Sequence, residues 1–439
     1  MKSNKPLNFI DYVIIILEAV YFLSVLPSFT IDVILPLPHA TNLAVLMVLF
    51  YIIRFKGAFL LLRNIGKYPL IIIYLIIVFF DTLQNLVMHF STGIVVAVFF
   101  VNVFFFLEYL YSLSEECHKV RKPTVAVLAP YTLYSHYNVF VILFTAVLVV
   151  AGLLTVTAYP MPAIELIEDN VSLGQTYYFP GYLSVATQTN RIFEKDIVPM
   201  LTGLSHEPHV LALLILPSFF LSFTRQIKPI KKVLLYLTYL LVVVIGQSAT
   251  AIAFFVVTIA IEFIWLFIVR KNYSSVIILA LMALIIVFKA GSILDGITAM
   301  MMEKAGGDAI SGEGSFGYTM QMLNYVISST SLIGYGNYPT GAGFELVSCS
   351  PGYLTSFLDI LFFLLFFVKS IMLLSHKEAY YHYVGLACFY FILHSLKVSF
   401  LVFHYPILTL MLFILVVTDQ QKKEDFNKPK FRKKQNFFA

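Results

Sequence analysis

Apolar runs of about twenty residues recur along the whole chain, and this repetition constrains the fold more than any other feature. A helix of about 20 apolar residues spans the hydrocarbon core of a bilayer, and in lipid only helices and closed barrels satisfy every backbone polar group. A membrane barrel would show alternating segments of about ten residues, whereas these runs are continuous. With 60% hydrophobic and 12% charged residues, the chain reads as an all-α integral membrane protein with about twelve transmembrane helices.

The expected spans lie at about 9–29, 37–53, 68–88, 93–113, 136–158, 209–224, 233–247, 249–269, 274–290, 353–375, 380–398 and 400–418. The first run, IDYVIIILEAVYFLSVLPSF, is long enough to span and carries no small-residue cleavage site, so no removable signal peptide is expected. With the N-terminus inside, the connections RFKGAFLLLRNIGK, EECHKVRKP, TRQIKPIKK, RKN and SHKE and the tail KKEDFNKPKFRKK all fall on the cytoplasmic side. Of 29 Lys and Arg, all but Arg191, Lys195, Lys289, Lys304 and Lys397 lie there or near inner helix ends, a strong positive-inside pattern. An even span number puts both termini in the cytoplasm, and the location implied is a plasma membrane. The net charge of +5 follows from this topology, so nucleic acid is not an expected partner. Cys117, Cys349 and Cys388 are too scattered for a disulfide framework or a metal site.

The organisation is then an N-terminal bundle of about five spans (1–158), a first outer loop (159–208), central helices (209–290), a second outer loop (291–352), C-terminal helices (353–418) and a basic tail (419–439). Loops longer than about 15 residues usually carry function or are disordered, and the Tyr, Phe and Met content of these two argues for order. No two-halves repeat of the transporter kind is evident.

Candidate chemistry concentrates on the outer face. Cations are scarce there, and a diphosphate would be held best by Arg, which offers two parallel donors. Arg191, in TNRIFEKDIVPM, is the only outward arginine; it could instead pair with Glu194 on a short helix. Lys289 and Lys304 follow near the second loop, Lys289 also being placed to snorkel to the interface. LTGLSHEPHV (201–210) opens the sixth span. Ser205, Glu207 and Pro208 suit a helix start, but this does not explain the flanking histidines. Glu207 or His206 at a water–membrane boundary could accept a proton from a hydroxyl nucleophile, whereas His209 reads as packing. The spacing is not HExxH and no distant third ligand stands out, so no metal is expected.

Two further stretches complete the set. GQSATAIAFF puts Gln247, Ser248 and Thr250 at a tight outer turn, where they either satisfy backbone groups or bind substrate. LIGYGNYPTGAGF (332–344) offers glycines for close backbone approach and Tyr335 and Tyr338 as faces and hydroxyls for sugars. No βαβ context surrounds it, so a dinucleotide site is rejected. Asp81, Glu108, Asp359 and His394 fall within spans and are expected to be satisfied inside the bundle.

GLSHEPHVLALLILPSFF, GQSATAIAFFVVTIAIEF and LIGYGNYPTGAGF, in that order, resemble the superfamily of O-antigen polymerases (Wzy-type) and O-antigen ligases over roughly residues 185–420. The resemblance implies a metal-independent, cofactor-free inverting glycosyltransferase on the outer face of a bacterial inner membrane. It would transfer a growing glycan from undecaprenyl diphosphate to the sugar hydroxyl of another lipid-linked repeat unit. Donor and acceptor are then both undecaprenyl diphosphate-linked oligosaccharides, beside membrane lipid and, as a candidate protein partner, a chain-length regulator. By position Arg191 takes the diphosphate role. Relatives often carry Arg or Lys after the serine where this chain reads GQSAT, which leaves Lys289 or Lys304 as substitutes and Ser248 as a substrate contact. Competing readings are a flippase or transporter of the same lipid-linked oligosaccharide, an O-antigen ligase, and a membrane acyltransferase.

Overall fold

The structure is a computed structural model, and the residues it describes are 13, 16, 69–88, 123–155, 163–165, 176–178, 185–187, 200–203, 205, 208–224, 227–246, 248–273, 353–395 and, of 407–419, all but 409, 413 and 417. They are mostly helical. Four helices open on proline, whose missing N–H is no loss in a first turn: α1 (Pro69–Met88), α2 (Pro123–Thr155), α3 (Pro208–Ser222) and α4 (Pro229–Gly246). Ser248 caps α5 (Ala249–Ile268), its extended backbone turning the side chain to accept from the Ala251 N–H at 3.2 Å. Lys271, at φ 55°, ends the following turn while the Asn272 N–H reaches back six residues to the Leu266 carbonyl. Last come α6 (Tyr353–Leu374) and α7 (Ala379–Ser395).

These bounds follow the expected spans closely except at α2, which begins at Pro123 rather than near 136. At 33 residues it is about 50 Å long, more than a hydrocarbon core needs. The hydroxyl-rich stretch YTLYSHYN weakens the apolar signal there, yet Tyr131, Tyr134, Ser135 and Asn138 are turned inward, while Thr132 is half-buried and His136 and Tyr137 are exposed. Ser135, Asn138 and Thr145 are 0% exposed, whereas Leu133, Phe140 and Val147, on the opposite face, are 60%, 60% and 65% exposed. Water favours the reverse arrangement. The same inversion recurs on α5, which buries Thr258 and Glu262 and exposes Val257, Ile264 and Ile268, and on α6, which buries Ser370 and exposes Leu364, Val368 and Met372. Among the described residues two helical stretches, Tyr131–Leu148 and Ala251–Ile268, are long and apolar enough to cross a membrane. Helices that bury their polar stripe and present Leu, Phe and Val outward are compatible with a membrane-embedded bundle.

At the centre of the bundle is α3, with every residue from Val210 to Leu221 buried. It packs against α2, α4, α5 and α7. Pro217 deprives the Leu213 carbonyl of its helical donor; one residue on, the Leu214 carbonyl accepts a 2.7 Å bond from Tyr131 Oη, which ties α3 to α2 at this point. Phe219 makes edge contacts with Tyr236 on α4 and Phe255 on α5, with centroids 5.1 and 5.4 Å apart. The tightest helix pair is α6 and α7, where a Cβ on Gly385 would meet the backbone of Leu374 at 2.7 Å. On the other side of α6, Phe362 lies 5.7 Å from Tyr74 of α1.

One segment departs from the all-helical expectation. Within the first polar connection, β1 (Ala163–Glu165), β2 (Thr176–Tyr178), β3 (Val185–Thr187) and β4 (Met200–Gly203) form an antiparallel meander in sequence order. Strands of three or four residues leave no periodicity long enough to read in a sequence. The last strand, β4, lies against α2, α3 and α4.

Candidate functional site

The segment from β4 into α3 is LTGLSHEPH, and of its described residues Leu201, Thr202, Gly203 and Ser205 are all buried at one end of the bundle. Gly203 is what allows this. Its φ of +61° is open to glycine but strained for other residues, and a Cβ there would sit 3.1 Å from both Asn138 Oδ1 and the Ile142 side chain on α2. The Ser205 N–H then closes the turn on the Thr202 carbonyl at 3.0 Å. The Ser205 hydroxyl has no hydrogen-bond partner among the described residues. Pro208 starts α3, the position expected of it, and His209 beside it is half-buried.

A second motif arrives at the same place from the other side of α3. Gly246 ends α4, and a Cβ on it would lie 3.6 Å from Pro208 Cβ and 3.7 Å from the Leu201 carbonyl oxygen. Ser248 follows two residues later. Thus LTGLSHEPH and GQSAT, 40 residues apart from Pro208 to Ser248, converge on one end of the bundle. As an acceptor, the Ser248 hydroxyl is engaged by the Ala251 N–H, the helix-capping alternative; its own hydrogen remains available to donate.

The other site residues named from the sequence, Arg191, His206, Glu207, Lys289, Lys304, Tyr335 and Tyr338, lie outside the described residues, as do Glu108 and Gln247. Asp81 and Asp359 fall in α1 and α6. His394 is buried on α7 with its Nδ1 2.7 Å from the Tyr390 hydroxyl. Among the described residues no three His, Cys, Asp or Glu side chains group as metal ligands.

At the opposite end is a constellation that sequence reasoning missed. Glu262 of α5 is 0% exposed yet accepts from three donors: Lys232 Nζ of α4 at 2.9 Å, Tyr383 Oη of α7 at 2.7 Å, and Tyr236 Oη of α4. Lys232 also donates to Tyr383 Oη at 2.6 Å, and its ammonium stands 4.8 Å from the ring of Phe223 and 5.0 Å from that of Tyr383. One turn beyond Glu262, Trp265 stacks on His382 at 3.9 Å, donates Nε1 to the His376 carbonyl at 2.8 Å and carries the Arg270 guanidinium 5.2 Å from its ring. The signal was present: a glutamate inside an otherwise apolar span is expensive without a cation. In the sequence Lys232 stands only as one of the basic residues of TRQIKPIKK.

The chain matches no family model, no curated protein and no solved structure.

Proposed function

We propose that the chain is a polymerase of lipid-linked oligosaccharide repeat units, a multi-pass protein of a bacterial inner membrane with both termini in the cytoplasm and its reaction centre facing the periplasm. The observation that carries this reading is the convergence of LTGLSHEPH with GQSAT at the Pro208–Gly246 contact. These are two of the three stretches through which the sequence resembles repeat-unit polymerases and ligases, and in the fold they are neighbours.

In the proposed reaction an acceptor sugar hydroxyl attacks the anomeric carbon of the donor glycan. The new glycosidic C–O bond forms as the bond to the diphosphate breaks, and undecaprenyl diphosphate leaves with the electron pair. Glu207 or His206 orients the acceptor and takes its proton. Arg191, with Lys289 or Lys304, meets the charge that develops on the leaving group, which is ordinarily the largest electrostatic contribution. Ser248 and the tyrosines Tyr335 and Tyr338 contact the sugars, and apolar grooves between helices take the two polyprenyl tails. Replacing Arg191 with Ala in the native host should abolish long polymer while lipid-linked single units persist. Wild-type polymer made by stably inserted Arg191→Ala protein would overturn the assignment.

One observation favours a second reading. Transport of the same lipid-linked oligosaccharide calls for charged groups within the bundle, and the Lys232–Glu262 pair supplies one such site. The glycan ladder of a deletion strain separates the two readings. A single repeat unit retained on the lipopolysaccharide core indicates the polymerase, and loss of every repeat indicates the flippase or a ligase.

A further inference from the structure

Two helices of the bundle, α4 and α5, form a hairpin with α3 lying between its arms. The hairpin is closed at the Gly246–Ser248 turn, beside Pro208. Away from that turn the arms are held apart by α3, whose Phe219 ring lies 4.9 Å from Tyr239 and 5.1 Å from Tyr236 on α4 and 5.4 Å from Phe255 on α5. Beyond Phe219 the arms are bridged again. Lys232 stands fourteen residues before Gly246 and Glu262 fourteen residues after Ser248, equivalent positions about 21 Å from the turn, and their side chains meet at 2.9 Å. Tyr383 brings α7 into the same junction, and Phe223, just past the end of α3, places its ring 4.8 Å beneath the ammonium.

We propose that the Lys232–Glu262 pair is a clasp that holds α3 between α4 and α5 and so fixes, at the far end of the bundle, the buried segment leading into His206 and Glu207. A buried ion pair adds little net stability compared with apolar side chains of the same shape, but removing one partner strands a charge. Its value is therefore geometric. Glu262 is fully enclosed among its three donors, whereas Lys232 is 28% exposed in its side chain, so the junction has one open side from which it can part. Once it has parted, the arms are left with the Tyr236 hydroxyl on Glu262 and with ring packing, the Tyr236–Phe263 pair at 6.4 Å and the contacts around Phe219, and α3 gains the freedom to slide. The segment Leu201–Ser205, seated by contacts with α2 and α4, would then leave its pocket. If the reaction proposed above is correct, Lys232 and Glu262 are positioning residues for it; the clasp itself does not depend on the reaction.

The test is therefore made without substrate. Ser205→Cys, at a fully buried position, is introduced into a chain whose Cys117, Cys349 and Cys388 are replaced by Ser, and the purified protein in detergent is reacted with a maleimide. Lys232→Met and Glu262→Gln, each leaving the other partner stranded, should raise the labelling rate by at least about tenfold with helical circular dichroism unchanged. Tyr383→Phe should give a smaller rise. The chain's single tryptophan, Trp265, should report the disturbed junction through its emission. Labelling within about twofold of the parent rate in all three variants would overturn the clasp. Should the two charge variants fail to fold, Tyr383→Phe decides alone, since it removes one hydroxyl and no charge. Loss of polymer in Arg191→Ala with slow labelling at position 205 leaves the reaction standing; fast labelling in the clasp variants stands whatever the polymer assay shows.

Discussion

Gly246, the last residue of α4, lies against Pro208, the first of α3, with room for one methyl group between them: a Cβ on Gly246 would rest 3.6 Å from the proline ring, an ordinary van der Waals distance. The contact is close enough to hold two segments in register and loose enough to be probed. Gly246→Ala should therefore be tolerated, changing stability by less than about 1 kcal/mol and tending to stabilise, because alanine is the better helix former. Gly246→Leu has nowhere to put its remaining carbons and should separate the turn from α3. Polymer length in complemented deletion cells should be normal with alanine and sharply shortened with leucine. Equal polymer from both would mean that the contact has no bearing on the site.

A different outcome is expected at Gly203. There φ is +61° and the added methyl group would press on Asn138 Oδ1 and Ile142 at 3.1 Å, so backbone and side chain both object. Gly203→Ala should destabilise by about 1–3 kcal/mol, the usual cost of a strained backbone position. Thermal unfolding of the purified protein would show it as a lowered midpoint. A midpoint equal to wild type would show that β4 enters α3 by another route than this turn.

How legible these relationships were differs by element. Helices α3, α4, α5 and α7 begin within a few residues of where proline, serine or the apolar run placed them, because a span long enough for a bilayer leaves a strong local record. The early start of α2 was hidden because its polar residues sit on a buried face, and the sequence cannot show which face is inside. The meander was hidden because each strand is three or four residues long. Both ends of the α3–α4–α5 unit depend on pairings between residues 30 to 40 positions apart, Lys232 with Glu262 and Pro208 with the turn at Ser248. No window of the chain contains such a pairing. The motif reading named both halves of the second, without pairing them, because each stands out for other reasons; it missed the first because lysine in a basic loop and glutamate in a span each have a bland explanation.

The inward polar stripe of α2 makes a prediction about which hydroxyls matter. Tyr131 donates to the Leu214 carbonyl, so Tyr131→Phe removes a buried hydrogen bond between α2 and α3 and should cost about 0.5–1.5 kcal/mol. Thr145 is equally buried, but its hydroxyl has no partner among the described residues. Thr145→Val removes a hydroxyl that makes no bond and keeps the shape, so it should be neutral or slightly stabilising. Unfolding midpoints of the two variants, measured in the same detergent, should separate clearly. The reverse order would show that the stripe binds water or substrate at Thr145 instead of serving α3.

Scaffold and chemistry can be told apart at the motif itself. In the proposed reaction Glu207 handles the acceptor proton, a contribution commonly of about 10²–10⁴ in rate. Glu207→Gln keeps the size of the side chain and its place before Pro208, so the purified protein should unfold at the wild-type midpoint. Turnover of a defined lipid-linked repeat unit should nevertheless fall by about a hundredfold or more. Gly203→Ala should show the converse: a lowered midpoint, with activity recovering as the assay is cooled and β4 regains its seat. His206→Gln supplies the remaining comparison, because the proton falls to one of the two neighbours. If His206→Gln eliminates turnover while Glu207→Gln leaves it intact, the base is His206 and Glu207 is a first-turn residue interacting with the α3 dipole. If both retain wild-type turnover, the acceptor is activated elsewhere, and the second outer loop with Tyr335 and Tyr338 becomes the place to look.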